Sequence, residues 1–117
     1  MIAASRVPLS SLERLSCDRA SEQRSVAISR AREATTALAE MGVKARVIGS
    51  LASGCLRPDS DIDFLILECP RRLKYGIEGV VEDCLAGLRF DVVYLDEIPA
   101  YKLARFTREA VDARDLR

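Results

Sequence analysis

The chain has 117 residues, 49% of them hydrophobic, and its 18 basic side chains balance its 18 acidic ones. That length suits one compact domain, and a net charge of zero gives no general attraction to nucleic acid or to acidic membranes. The chain has no histidine, which excludes Ser-His-Asp and Cys-His catalysis within it. Acid–base or metal chemistry therefore falls to carboxylates, which prefer hard cations such as Mg²⁺.

The cysteines form no CxxC pair and lie far apart in the sequence. The sequence contains no secretory signal and no apolar run of membrane-spanning length, so we predict a cytoplasmic protein that contacts no membrane. In that reducing compartment the cysteines are interpreted as small core hydrophobes rather than as disulfides or a zinc site. They are Cys17, Cys55, Cys69 and Cys84.

The N-terminal part, residues 1–42, is predicted to contain two helices. Ser10 and Glu13 match a capping box that opens a short helix. A longer helix is predicted over 21–41, with Gly42 as its end. Its apolar residues recur at helical spacing, and most are alanine, which permits close packing. They are Ala27, Ala31, Ala34, Leu38 and Met41.

The rest of the chain alternates between predicted strands and helices, which together indicate an α/β (α+β) domain with a small mixed β-sheet flanked by helices. We divide this single domain, 1–117, into N-terminal helices (1–42), a catalytic core (43–99) and a C-terminal helix (100–117). The apolar faces of the long helix and the last helix are interpreted as core, with a partner-protein surface as the alternative. The predicted elements are a strand over 43–48, a strand over 62–67, a helix over 73–88 with apolar residues Ile77, Val80, Val81, Cys84 and Leu88, a strand over 90–95, and a helix over 100–116 with apolar residues Leu103, Phe106, Ala110 and Val111.

Two carboxylates open the second predicted strand. Asp61 and Asp63 are two residues apart, so they project from the same face of the strand while Ile62 points to the other. Two carboxylates about 4 Å apart repel by roughly 4 kcal/mol at an effective dielectric of about 20. A cation, a shared proton or solvent must relieve that repulsion. A solvated acidic turn is the alternative for these residues taken alone.

Gly49-Ser50 ends the first predicted strand. Glycine permits a tight turn and a close approach of the backbone to a ligand. Ser50 is predicted to cap a short helix whose free N–H groups face an anion such as a triphosphate. A plain strand-to-helix turn is the alternative. No lysine follows in the spacing of a Walker loop.

Asp91 lies at the start of the third predicted strand, in the segment Phe-Asp-Val-Val-Tyr. If that strand lies beside the second, the Asp91 carboxylate can meet the other two. Taken alone, an acid in this position is more often merely solvated.

These motifs together resemble a known pattern. Gly49-Ser50, ten intervening residues and Asp61-Ile-Asp63 are similar to the GS-x10-DxD motif of the DNA polymerase β-like nucleotidyltransferase superfamily. The segments SDIDFLIL and FDVVYLDEI are similar to the second and third strands of its minimal (MNT) branch. The resemblance covers residues 43–99 closely and the last helix more loosely. It implies the polymerase-β-like nucleotidyltransferase fold.

The resemblance also implies site residues. Gly49 and Ser50 would hold the triphosphate of ATP, and Asp61, Asp63 and Asp91 would bind Mg²⁺ and serve as the catalytic acids. Asp91 would also help to activate the attacking hydroxyl group. The products would be a nucleotidylated acceptor and pyrophosphate.

Minimal members of this superfamily commonly stand beside a HEPN-domain ribonuclease in toxin–antitoxin pairs. The resemblance therefore implies an antitoxin that transfers AMP to a tyrosine of the HEPN toxin, in a hetero-oligomer and without direct contact to nucleic acid. Two alternatives are an antitoxin that neutralises the toxin by binding alone and a nucleotidyltransferase acting on a small molecule. Ser53 stands where many minimal members carry an arginine. Arg57 is close enough to take the place of that arginine, but the sequence does not give its direction, and a solvated side chain is the favoured interpretation.

Overall fold

The computed structural model describes the backbone of residues 11–57 and 60–117, and the side chains of residues 21–57 and 60–117. Short 3₁₀ segments lie between the longer elements, at Arg71–Gly76, Leu95–Glu97 and Ala113–Asp115. In chain order, the helices and strands of the described part are α1 (Ser11–Glu40), β1 (Lys44–Ile48), α2 (Gly49–Ser53), β2 (Ile62–Glu68), α3 (Ile77–Leu85), β3 (Phe90–Tyr94) and α4 (Ala100–Glu109).

The helix α1 is continuous, so the prediction of two N-terminal helices is wrong. The sequence from Ser11 to Glu40 contains neither glycine nor proline, and nothing in it interrupts the backbone hydrogen bonds. The helix ends at Glu40, one residue before its predicted last residue, and Gly42 follows with the left-handed φ of +85° expected after a helix. Ser10, the first residue of the proposed capping box, lies outside the described residues.

The predicted apolar face of α1 is core. Its residues from Ala27 to Leu38 are buried, with exposed fractions of 4% or less at the four predicted positions Ala27, Ala31, Ala34 and Leu38. Small side chains let α1 lie close to α3 and to β1, which it contacts. The alternative, that this face binds a partner protein, is therefore excluded for these four residues.

The sheet is mixed, as predicted, with strand order β1-β2-β3. β1 is antiparallel to β2, and β2 is parallel to β3. A parallel pair needs a crossover connection, which the segment containing α3 supplies. The central strand β2 is the most buried, because Phe64, Leu65 and Ile66 are all at most 2% exposed. The sheet and helices α1 and α3 enclose one hydrophobic core.

The helix predicted over 73–88 is shorter in the structure. Residues Arg71–Gly76 form a 3₁₀ segment, and α3 begins only at Ile77. Ala86 and Gly87 then adopt left-handed backbone conformations, with φ of 51° and 95°, which end the helix. Leu88 lies beyond this turn and is 37% exposed, so its predicted place on the apolar face of the helix is wrong.

The last predicted helix is also shorter, and its apolar face is not core. α4 ends at Glu109, and none of its side chains, all of which the structure describes, is buried. Leu103 is 39% exposed. The core residues of this region lie after the helix, at Ala113 and Leu116, which are 1% and 3% exposed.

The segment that follows α4 is fixed to β1 and α1. Val111 forms an isolated bridge with Val47, in which each backbone N–H donates to the other residue's carbonyl at 2.8 Å. The guanidinium of Arg32 on α1 donates to the carbonyls of Ala113 at 3.0 Å and Leu116 at 2.7 Å. This segment therefore closes the core at the outer edge of the sheet.

The cysteine prediction holds only in part. Cys69 and Cys84 are half-buried free thiols, whereas Cys55 is exposed, because it follows α2 in a surface turn. The side chain of Cys17 lies outside the described side chains. Among the described residues, no helix combines the length and the apolar character that crossing a bilayer requires.

Leu116 and Leu103 provide a test of where the C-terminal core lies. We expect Leu116→Ala to lower the free energy of unfolding by about 2–4 kcal/mol, because it leaves a cavity against α1. The matched control Leu103→Ala, on the exposed face of α4, is expected to lower it by less than about 1 kcal/mol. Urea denaturation followed by circular dichroism measures both values. Equal losses in the two variants would contradict this account of the core.

Candidate active site

The carboxylates of Asp61 and Asp63 lie at the start of the buried strand β2. Asp61 immediately precedes the strand, and Asp63 is its second residue. Ile62, between them, is 3% exposed and belongs to the core. Since side chains alternate along a strand, Asp63 projects from the opposite face of the sheet, away from the helices that cover Ile62.

Asp91 lies beside Asp63 on the neighbouring strand. In the parallel pairing of β2 with β3, the two residues are Cα partners. The backbone N–H of Ile62 donates to the carbonyl of Arg89 at 3.0 Å. This hydrogen bond lies at the start of the parallel ladder and fits its register. Residues paired in register project to the same face of a sheet, so the Asp63 and Asp91 side chains share a face.

Gly49 approaches the Asp63 carboxylate from the other side of β2, where β1 lies. Ile48, the last residue of β1, is the antiparallel Cα partner of Asp63, and Gly49 follows it directly. Gly49 has a φ of +76°. A Cβ added to it would collide with the Oδ2 atom of Asp63 and lie 3.2 Å from its Cγ. Glycine is therefore required here by the backbone conformation, and a Cβ would in addition force the Asp63 carboxylate to shift.

Ser50 does not have the predicted capping role. α2 begins at Gly49, its N-cap residue is Ile48, and no side chain caps it. Ser50 is the second residue of the helix, because the left-handed Gly49 already turns the chain out of β1. The hydroxyl of Ser53 donates to the Ser50 carbonyl at 3.2 Å, so that it bonds within the helix.

The three carboxylates share one end of the sheet, but their oxygens are not gathered at one point. Asp61 pairs with Arg89 at 3.3 Å, and the Oδ1 of Asp91 accepts the backbone N–H of Val92 at 3.0 Å. Within the described part of the chain, no three acidic or cysteine side chains stand close enough together to hold a metal ion as they are oriented. Asp61 and Asp91 are both exposed, so rotation of their side chains needs no repacking of the core.

Within this cluster, the charged form of Asp63 is destabilised by its surroundings. Its pKa is raised above the usual 3.8, first by its partial burial and then by the negative charges of Asp91 and Asp61. A divalent cation removes both of the charge effects by neutralising the cluster. Carboxylate oxygens are the donors that Mg²⁺ prefers, so the residue types of this set fit the ion.

Besides Arg89, which pairs with Asp61, the arginines Arg57 and Arg105 each line a pocket, and the two pockets are different. Arg57, for which a solvated side chain is the favoured prediction, lines a pocket of about 520 Å³ together with residues of α1 such as Val26. Arg105 of α4 was not anticipated. It lines a pocket of about 430 Å³ with Gly49 and Ser53. No residue spacing in the sequence predicts this position of Arg105, because the position follows from the packing of α4 beside α2.

The raised pKa of Asp63 predicts that this residue destabilises the protein at neutral pH. Between the unfolded pKa and the higher folded pKa, the folded state binds more protons than the unfolded state, so stability falls as pH rises through that window. We expect Asp63→Asn to raise the melting temperature at pH 7 in the presence of EDTA, and the gain to disappear below pH 3.8. Calorimetry across pH measures this. Asp83→Asn, which changes an exposed acid of α3, is the control and should have no such effect.

The two effects of a side chain at Gly49 can be separated with Gly54, which ends α2. Gly54 has a similar φ of +86°, but a Cβ there meets nothing within 4 Å. Gly54→Ala is expected to lower the free energy of unfolding by about 1–2 kcal/mol, the effect of the backbone conformation alone. Gly49→Ala should lower it by a further 1 kcal/mol or more, roughly, because of the collision with Asp63. Equal losses in urea denaturation would argue against the contact.

The comparisons with known proteins agree with this architecture. A family model described as "Nucleotidyltransferase domain" matches residues 28–114, which is most of the chain. A solved structure described as "Structure of putative minimal nucleotidyltransferase" is 26% identical, with a TM-score of 0.55, and the match covers 80% of this chain and 92% of that one. No match was found among curated protein sequences. The predicted fold is thereby confirmed, and the chain belongs to the nucleotidyltransferase domain family, whose members act on nucleotide substrates.

Proposed function

We propose that this nucleotidyltransferase transfers AMP from ATP to a tyrosine hydroxyl of a partner HEPN ribonuclease and thereby acts as its antitoxin, with Mg²⁺ as cofactor. The observation that supports the transferase site best is the position of Asp63, which has Asp91 as its partner in register and Gly49 in contact with its side chain. The carboxylates that would bind a metal ion are thus adjacent to the Gly49 turn, whose backbone can approach a ligand closely.

In this proposal Asp61, Asp63 and Asp91 hold the magnesium, which neutralises phosphate charge and favours in-line displacement at the α-phosphorus. The acceptor oxygen forms a bond to the α-phosphorus, and the bond from that phosphorus to the bridging oxygen breaks, so that pyrophosphate leaves. Asp91, exposed at the edge strand of the sheet, takes the proton of the attacking hydroxyl. Gly49 and Ser50 bring their backbone toward the triphosphate.

A protein acceptor is supported by the surface around the site. Asp61 and Asp91 are exposed at the start of their strands, so that a large acceptor has access to them. α4, which follows the strand of Asp91 in the chain, presents Tyr101, 81% exposed, and Leu103, 39% exposed, and none of its described side chains is buried. This face suits docking of another protein better than it suits core packing. The identity of the partner and the choice of ATP rest on the resemblance to minimal nucleotidyltransferases.

Binding without catalysis is the second candidate function, and specific observations favour it. Asp61 is paired with Arg89, and Ser53 replaces the arginine that many minimal members carry. An antitoxin of this kind would retain the fold and the docking face while transferring no nucleotide. Transfer to a small molecule is a weaker candidate, because the described residues form one domain without a separate unit to bind an acceptor.

Labelled ATP distinguishes these functions. The purified chain is incubated with α-labelled ATP, Mg²⁺ and the product of its neighbouring gene, which this proposal expects to be a HEPN ribonuclease. We expect label on a tyrosine of the partner, loss of its ribonuclease activity, and at least about a hundredfold slower transfer by the variant with both Asp61→Asn and Asp63→Asn, since these changes remove the metal ligands. Asp83→Asn, an exposed acid on α3, is the control and should transfer normally.

Each other outcome identifies a different function. Inhibition that survives the double substitution, with no label transferred by the unaltered chain, would establish the binding antitoxin. Label transferred to a small molecule but not to the protein would replace the acceptor while retaining the transferase. The absence of both label and inhibition would refute the proposal.

A further inference from the structure

The pocket beside Gly49 contains the positively charged side chain of Arg105, to which the proposed function assigns no role. We propose that Arg105 of α4 binds the phosphate tail of the nucleotide, which displaces Glu109, the partner of the guanidinium in the free protein. This inference rests on the proposed function, because it concerns the substrate of the same site.

The pocket adjoins the carboxylate cluster through a single residue. It has a volume of about 430 Å³ and is lined by Gly49, Ala52, Ser53, Arg105 and Glu109. Gly49 also contacts the side chain of Asp63, since a Cβ at Gly49 would collide with that carboxylate. A triphosphate that reaches the carboxylate cluster on one side of Gly49 therefore has its remaining phosphates within reach of the pocket on the other.

The charges on the two sides of Gly49 are complementary to a metal-bound triphosphate. Asp61, Asp63 and Asp91 form an anionic side, which attracts the metal and repels phosphate oxygens. Arg105 places a guanidinium on the opposite side. Its planar fork of donors matches phosphate geometry, and such charge-assisted hydrogen bonds are about twice as strong as neutral ones. A nucleotide bound between the two sides thus has a partner for each of its charges.

The neighbouring residues of α2 leave room for this contact. Ala52 and Ser53 are the α2 side chains that line the pocket with Gly49, and both are small. The Ser53 hydroxyl is bonded to the carbonyl of Ser50 within the helix. Neither side chain brings positive charge, so the cation of this pocket comes from α4.

The ion pair that holds Arg105 is weak enough to be exchanged. Its Nε lies 3.2 Å from the Oε1 of Glu109, one helical turn away, and the two side chains are 72% and 52% exposed. Exposed pairs of this kind contribute little, because water and salt screen them. A phosphate tail carries more charge than one carboxylate and displaces Glu109 from the guanidinium. Glu109 is therefore a competing partner of Arg105, which the phosphate tail replaces.

Isothermal titration with Mg·ATP and with magnesium and inorganic triphosphate tests the inference. Arg105→Gln should weaken the binding of both ligands by about tenfold or more, because a hydrogen bond to a charged group is lost. Arg105→Lys should restore part of that loss, since it returns the charge without the fork. Arg108→Gln, on the same helix but not among the residues that line the pocket, is the matched control and should bind as the unaltered chain does.

Glu109→Gln separates a binding role from a structural one. It frees the guanidinium from its carboxylate and should tighten Mg·ATP binding by about threefold. If the ion pair served only to stabilise α4, Glu109→Gln and Arg105→Gln would have the same effect on affinity, and the inference would be wrong. Unchanged affinity in Arg105→Gln, while the unaltered chain binds Mg·ATP, would overturn the inference and leave the proposed function standing. An unaltered chain that neither binds Mg·ATP nor transfers AMP would overturn both.

Discussion

At one position of the sheet, a carboxylate is held between two neighbouring strands. Asp63 is in register with Ile48 on the antiparallel side and with Asp91 on the parallel side. The backbone ladders on both sides of β2 therefore decide which residues can reach its carboxylate. Gly49 does so because it follows Ile48, and Asp91 does so because β3 runs parallel to β2. The packing of α1 and α3 on the other face holds this register in place.

The same position opposes folding and favours ligand binding. Partial burial and two neighbouring acids raise the pKa of Asp63, so that its charged form is less stable there than in water. The apolar residues of β2, with Phe64 and Leu65 fully buried, offset this cost. Strain of this kind is common where a protein binds a charged ligand, because the ligand then supplies the missing counter-charge. In the proposed function, a divalent cation would supply that counter-charge to the acidic cluster.

Sequence reasoning succeeded where the signal is local and periodic. The three strands begin and end within about one residue of their predicted bounds, and the alanine face of α1 is core, because alternation and helical spacing reflect burial directly. It failed where an outcome depends on tertiary packing. Because Gly49 has a left-handed backbone conformation, α2 begins there and Ser50 is not its N-cap residue. The turn at Ala86 ends α3, so Leu88 is exposed. The position of Arg105 beside Gly49 joins segments more than fifty residues apart in the chain, and a pattern read along the sequence gives no sign of it.

The bridge between Val47 and Val111 constrains more than the edge of β1. β3 leads into α4 at one end, and at the other end the chain is hydrogen-bonded to β1 only two residues after the helix finishes. α4 has no buried side chain among its described residues, so these two attachments, together with its packing beside α2, determine where it lies. The position of the Arg105 guanidinium therefore depends in part on the backbone hydrogen bonds of Val111. A substitution that broke that bridge would displace the Arg105 guanidinium while every residue that lines its pocket kept its identity.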